Sequence, residues 1–360
     1  MKYLAGALGV IVLAVASALG GGVIALQLDD EDAVTPAVVT QTQPRTTSEV
    51  TQSLSDVSEL YAAVRPSVVR IEGSGGLGSG VVIDSQGHIL TNNHVVEDLT
   101  NISVRFADGS VYEATVVGTD PGNDLAVIEV DAPADLLRPA TLGDSESVKV
   151  GELVIAIGNP FDIEGTLTQG VVSGVGRTLT GNTGRPLRKL IQSDAAINPG
   201  NSGGGLFNAS GELVGITTAI ENPSGDRVFV GIGYAVPIDT AKQYLPQMLA
   251  GTTVQHPKLG VSLQDVSPAL AAELGLSVES GVLVGSVEPG SGADAAGLRG
   301  GSGRTTVGDV IVKIDSVEVK VFSDVANYLD TKQVGDTVNL TVVRDGDELT
   351  VPVTLEAWVG

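Results

Sequence analysis

The stretch Asn198-Pro199-Gly200-Asn201-Ser202-Gly203-Gly204-Gly205-Leu206-Phe207 sets one serine among four glycines. A serine hydroxyl is a weak nucleophile until a base takes its proton and something absorbs the charge on the attacked carbonyl. Glycines beside the serine let backbone N–H groups turn inward with no Cβ in the way. The amides of Gly200 and Ser202, with Asn201 between them, are therefore candidate oxyanion-hole donors. Read alone, the stretch is equally a glycine-rich turn.

A base and its orienter stand upstream. Of the three histidines, His94 sits where the apolar run Ile89-Leu90 meets Thr91-Asn92-Asn93, which reads as a strand end. An acid follows in Gly122-Asn123-Asp124, just before the apolar strand Leu125–Val130. The order His94, Asp124, Ser202 is that of a chymotrypsin-type triad. An α/β-hydrolase needs its acid and then its histidine after the serine, and only His256 follows, in a Gln-His-Pro linker with no strand before it. A subtilisin order could be forced with Asp84, but no alternation of parallel strands and helices lies between Asp84 and His94.

From 81 to 236, short β-branched runs alternate with Gly/Asp/Asn turns and no long amphipathic helix intervenes, so a barrel or sandwich is expected. The segment Gly73–Gly80 formally contains G-x-G-x-x-G, but a strand follows where a nucleotide site needs a helix, so it reads as a hairpin. His88, in the next turn, reads as exposed and inert. A helix capped by Asp239 closes this unit near Gly251. After the linker Thr252–Pro257, a second unit of short strands carries three helix candidates, Pro268–Leu274, Ala293–Gly297 and Ser323–Leu329.

The 360 residues carry 43 acids against 20 bases, a net charge of −23, which argues against a nucleic-acid partner. With no cysteine there is no disulfide, thiol or zinc-thiolate chemistry, and no metal or cofactor is expected. Residues 1–28 run apolar from Leu4 to Leu26 behind Lys2 and ahead of Asp29, Asp30, Glu31 and Asp32. That reads as a membrane anchor with the rest of the chain outside, or as a signal segment cleaved near Ala16-Ser17-Ala18. Residues 29–57, rich in Thr, Gln and Ser, read as a disordered tether. Sequons at Asn101, Asn208 and Asn339 are noted without assignment.

Thr91-Asn92-Asn93-His94-Val95-Val96, Asp124-Leu125-Ala126-Val127 and Gly200-Asn201-Ser202-Gly203-Gly204, with Ala156–Phe161 and Gln192–Asn198, together resemble the HtrA/Deg family of trypsin-like serine proteases. Lys258-Leu259-Gly260-Val261 resembles the carboxylate-binding loop of a PDZ domain. The resemblance implies a mainly β chain: a chymotrypsin-like double β-barrel over 58–252 and a PDZ domain over 257–356. It implies a triad of Ser202, His94 and Asp124, an oxyanion hole at Gly200, Asn201 and Ser202, and C-terminal peptides captured at Leu259, Gly260 and Val261. It further implies a homotrimer, with Tyr61 either in its interface or in the core.

The S1 pocket is then expected at Ala196, Ile197, Ile216 and Thr218. With no acid there, a small aliphatic P1 residue is favoured over Lys or Arg. Asn201 stands where digestive relatives carry the Asp that receives a new N-terminus, so control must lie elsewhere. The loop Gly176–Arg188 is the candidate, with Arg177 as sensor. The expected function is ATP-independent extracytoplasmic endoproteolysis of unfolded proteins. A non-proteolytic holding chaperone or PDZ scaffold, and a signalling protease cutting one regulator, stay open beside it.

Overall fold

Alternation of buried and exposed residues builds the first half of the chain. The computed structural model describes residues 57–159, 165–179, 185–220, 229–301 and 307–358. The expected anchor and nearly all of the tether lie outside them. Among the described residues, no helix is long and apolar enough to cross a membrane. A helix over 57–64 (α1) and a 3-10 turn at Arg65–Ser67 lead into the strands.

Six strands close the first barrel: β1 (Val68–Ser74), β2 (Gly76–Val82), β3 (His88–Thr91), β4 (Thr100–Arg105), β5 (Val111–Asp120) and β6 (Leu125–Val130), in the order β1-β2-β3-β6-β5-β4. β1 pairs with β4 and removes the free edge. Val69, Ile71, Val82, Ile89, Val104 and Ile128, all fully buried, fill the interior. The Gly73–Gly80 motif lies in the β1–β2 hairpin, as expected. His88 is not free in its turn: its Nδ1 lies 2.6 Å from the Asp84 carboxylate, and its side chain is mostly buried.

The second barrel uses β8 (Leu153–Gly158), β9 (Thr166–Leu179), β10 (Leu187–Ser193), β11 (Gly205–Asn208), β12 (Glu212–Ile220) and β13 (Gly233–Pro237). The β11–β12 pairing closes the ring, and the short β7 (Thr141–Leu142) adds to β12 in parallel. Leu90, Leu125 and Val127 of the first barrel pack with Ile155, Phe207 and Ile216 of the second in one apolar cluster. Burial on this scale is the main term that fixes the two barrels face to face.

His94, expected at a strand end, lies instead in a single helical turn, α2 (Asn93–Val96), after β3. Helix α3 (Ile238–Leu249) then seats Ile238, Ala241, Tyr244 and Met248 in the shared core. Its N-cap is Pro237; Asp239, expected as the cap, occupies the first turn. The segment after α3 is stitched to β5: Thr119 N–H donates to Thr252 O at 3.3 Å, and Val254 N–H to Thr119 O at 2.8 Å.

The C-terminal unit has β14 (Pro257–Lys258), β15 (Val261–Asp265), β16 (Val282–Val287), β17 (Val310–Ile314), β18 (Val317–Glu318), β19 (Thr337–Arg344), β20 (Asp347–Thr354) and β21 (Glu356–Ala357). Its helices are α4 (Pro268–Leu274), α5 (Gly292–Ala295) and α6 (Phe322–Leu329), close to the three expected. Alternation along β19 puts Val338, Leu340 and Val342 into a core with Val282, Ile311 and Val325.

Candidate active site

Asp124 enters the site from the tight turn that joins β5 to β6. Its own φ is +55°, a left-handed conformation that Asp tolerates better than most side chains. Asn92 Nδ2 donates to Asp124 O at 2.8 Å and ties this turn to the start of α2. The Asp124 carboxylate takes the His94 backbone N–H at 3.0 Å and lies 2.8 Å from His94 Nδ1. A carboxylate accepts, so in the neutral ring the proton belongs on Nδ1 and the lone pair on Nε2.

The second barrel supplies a fourth group. Thr218 Oγ1 donates to Asp124 Oδ2 at 2.5 Å, while Thr218 O accepts from Ser202 Oγ at 3.4 Å. One residue of β12 thus touches both the acid and the serine. Thr218, expected as an S1 wall, turns its hydroxyl to Asp124 instead. A Thr in the apolar run Leu213–Ile220 is the signal that could have raised the question, because the hydroxyl of a buried Thr needs a partner.

Ser202 follows a turn in which Asn201 N–H donates to Asn198 O at 2.9 Å, with Pro199 second and Gly200 third at φ +99°. That is the type II signature, which a side chain at the third position would strain. Gly203, at φ +83°, has no room for a Cβ, which would run into Ser79 O and Thr91 Oγ1. The Asn201 and Gly203 amides are engaged, by Asn198 O and Thr217 O. No hydrogen bond among the described residues uses the Gly200 or Ser202 N–H. Of the three residues expected at the oxyanion hole, Asn201 therefore has no free amide, and its side chain reaches inward to Ala196 O at 3.4 Å.

Ile197 is buried and leans on Gly233, and Ala196 O also accepts from Thr168 Oγ1 at 2.8 Å. Ile216 corrects an expectation: it is fully buried in the cluster between the barrels. Residues 221–228, which follow β12, lie outside the described residues.

Arg177, expected in a loop, sits exposed in β9 opposite Leu190 of β10. Two other arginines of that hairpin reach the C-terminal unit. Arg188 Nη2 meets both Asp330 oxygens at 2.6 Å, and Arg185 Nη2 meets one at 3.1 Å. Arg185 Nη1 also donates to Gly122 O and Asn123 Oδ1, both at 2.8 Å, in the turn that carries Asp124. Burial pulls the Arg185 guanidinium below its ordinary range, with Asp330 opposing.

Behind the same turn, Asp120 is fully buried. It takes His256 Nε2 at 2.6 Å and Asn123 Nδ2 at 2.8 Å. Tyr244 stacks edge-on against His256, and burial pushes its phenol up to about 12. Asp330 also borders a cavity of about 400 Å³ between β15 and α6. Leu259, Gly260, Val261, Val325 and Leu329 line it, beside Arg185 and Arg188. Gly260, at φ +80°, starts the turn into β15, and its carbonyl accepts from Glu288 N–H.

The family models for a trypsin-like peptidase domain and a PDZ domain match residues 78–216 and 257–355. The chain is 44% identical to Protease Do-like 1, chloroplastic, of Arabidopsis thaliana over 78% of its length and 64% of that protein's. It is 38% identical to the periplasmic pH-dependent serine endoprotease DegQ of Escherichia coli over 78% of its length and 59% of that protein's. It therefore spans less than two thirds of the length of these relatives. Among solved structures, the HtrA-type protease AlgW with tripeptide is 34% identical, with TM-score 0.73, over 83% of this chain and 96% of that one. With two barrels, a peptidase-domain match and a PDZ match in one continuous chain, the protein belongs to the HtrA family of trypsin-like serine proteases.

Proposed function

We propose that the protein is a serine endopeptidase that cuts unfolded polypeptides outside the cytoplasm. In this reading Ser202 Oγ attacks the scissile carbonyl and His94 Nε2 takes its proton, then returns it to the leaving amine. Asp124 holds the Nδ1–H tautomer and the charge that forms on the ring. The N–H groups of Gly200 and Ser202 receive the oxyanion, and losing one such donor costs roughly 10²–10³ in kcat. The strongest support is the His94 Nδ1–Asp124 contact at 2.8 Å, with Thr218 joining Asp124 to Ser202.

Neither Ala196 nor Ile197 puts an acid at the base of the proposed S1 pocket, which supports a small aliphatic P1 residue. The cavity between β15 and α6 is the proposed seat of C-terminal peptides, with Arg185 and Arg188 rather than Arg177 reading its occupancy. The N-terminal apolar segment is the proposed membrane attachment or export signal. A homotrimer is proposed on the family resemblance alone; within the chain Tyr61 gives its hydroxyl to Gly165 O at 2.7 Å. The test is cleavage of unfolded β-casein by the wild type and by Ser202→Ala. Cleavage by the first alone supports the reading, and fragment ends then give P1. If the wild type is silent even with hydrophobic C-terminal peptides present, yet suppresses aggregation, the protein is a holding chaperone.

A further inference from the structure

Four consecutive peptide groups cross the serine loop, and they are held in different ways. The Gly200–Asn201 peptide is fixed at both ends: Gly200 O accepts from Ser79 Oγ at 2.7 Å, and Asn201 N–H donates to Asn198 O at 2.9 Å. The Ser202–Gly203 peptide is also fixed at both ends, by Ser79 N–H on Ser202 O and by Thr217 O, each at 2.8 Å. Between them, Asn201 O accepts from Gly204 N–H and from Thr217 Oγ1, at 2.8 and 2.6 Å. In a trans peptide the N–H points opposite to its carbonyl, so these bonds aim the Ser202 N–H away from β12. The Pro199–Gly200 peptide has neither end bonded among the described residues. The orientation of the Gly200 N–H is therefore set largely by what holds the next peptide.

Both carbonyls gripped from the first barrel are gripped by one residue. Ser79 is fully buried in β2. Its hydroxyl accepts from Asn159 N–H at 2.9 Å and faces Asn159 Nδ2 at 3.2 Å, so its own proton is left for Gly200 O. The amide of Asn159 is itself fixed: Nδ2 donates to Val69 O, and Oδ1 accepts from Gly165 N–H. Thr91 Oγ1 closes the set by donating to Ser79 O at 2.6 Å.

We propose that Ser79 is a positioning residue for the oxyanion hole, holding the peptide between the two donor amides and the peptide after the second so that both N–H groups face one point. The proposal rests on the protease reading. It does not make Ser79 a catalytic residue, since among the described residues its hydroxyl bonds to Gly200 and Asn159. Its effect is felt where charge builds on the carbonyl oxygen and little where the substrate merely docks.

The experiment is steady-state cleavage of a peptide with an aliphatic P1 residue, and inhibition by the matching peptide boronic acid, which mimics the tetrahedral state. Full-length wild type, Ser79→Ala and Ser79→Cys are compared, with urea midpoints as a check on folding. For Ser79→Ala, kcat and boronate affinity should each fall about 10- to 100-fold with KM within about twofold. Ser79→Cys, with its weak donor, should fall between. Unchanged kcat and boronate affinity in a folded Ser79→Ala overturn the proposal, as does a rise in KM equal to the loss of kcat/KM. If Ser79→Ala does not fold, the same ratio is read on Ser79→Cys. A wild type that neither cleaves nor binds the boronate refutes the protease reading itself, and this inference with it.

Discussion

Arg188 of the second barrel grips Asp330 of the PDZ unit with one nitrogen at 2.6 Å from both carboxylate oxygens. Arg185 shares that carboxylate and also bonds the turn that carries Asp124. An ion pair thus connects the edge of the cavity between β15 and α6 to the acid of the proposed triad. Replacing Asp330 leaves two mostly buried guanidinium groups without their counter-charge. We expect Asp330→Asn to lower the unfolding free energy by about 3 kcal/mol and to bring the ratio of peptide-stimulated to basal cleavage towards one. Denaturant midpoints and paired rates check the two effects; a stable variant that still responds to peptide would remove Asp330 from the coupling.

Thr218 offers a cleaner catalytic test, because valine keeps its shape and drops only the hydroxyl. A hydrogen bond to a charged group contributes about 1.5–3 kcal/mol, so Thr218→Val should lower kcat/KM by roughly ten- to a hundredfold. Thr218→Ser should recover most of the rate. Equal activity of the Val and Ser variants would mean that Asp124 is held well enough by His94 and Asn92.

Asp239 sets an acid limit. Partial burial pushes its carboxyl up, but the Lys242 ammonium and the hydroxyl and N–H of Ser145 more than reverse this and hold it at about 2, against an ordinary 3.8. A folded value below the unfolded one gives stability that is complete above about pH 4 and is lost as pH falls through about 2. The side chain is 29% exposed, so after screening the contribution is on the order of 1 kcal/mol. Asp239→Asn should unfold at lower urea than the wild type near neutrality, and the two midpoints should converge as pH falls from about 4 to about 2. A constant gap across that range would contradict this account.

His256 Nε2 lies 2.6 Å from the fully buried Asp120 carboxylate, which would lose this partner on substitution. His256→Ala should destabilise the chain by about 3 kcal/mol, and His256→Ala with Asp120→Asn should recover part of the loss. A double-mutant cycle of urea midpoints reads the coupling; additive losses would mean that the pair contributes little.

The barrels were legible because strand burial repeats every second residue and turn formers punctuate it. The three proposed triad positions are legible because each sits in a motif whose residues are adjacent in the chain. What stayed hidden was assembled across the chain. Thr218 looked like a pocket wall because nothing local says that its hydroxyl meets a residue 94 positions earlier. Sequence alone points to Arg177 because nothing local shows that packing of the PDZ unit brings Asp330 to Arg185 and Arg188. In the sequence His94 reads as a strand end because four residues of helix carry too little periodicity to be read.

The segment between α3 and β14 carries a consequence for how the chain divides. Strand topology draws a boundary at Gly251, where the protease strands and their closing helix are complete. Hydrogen bonding draws it after His256, because Thr252 and Val254 still pair with Thr119, and His256 with Asp120. A chain ended at the first boundary would lose the PDZ unit and also strip the support from the turn that presents Asp124. Its inactivity would then say as much about the active site as about the missing domain.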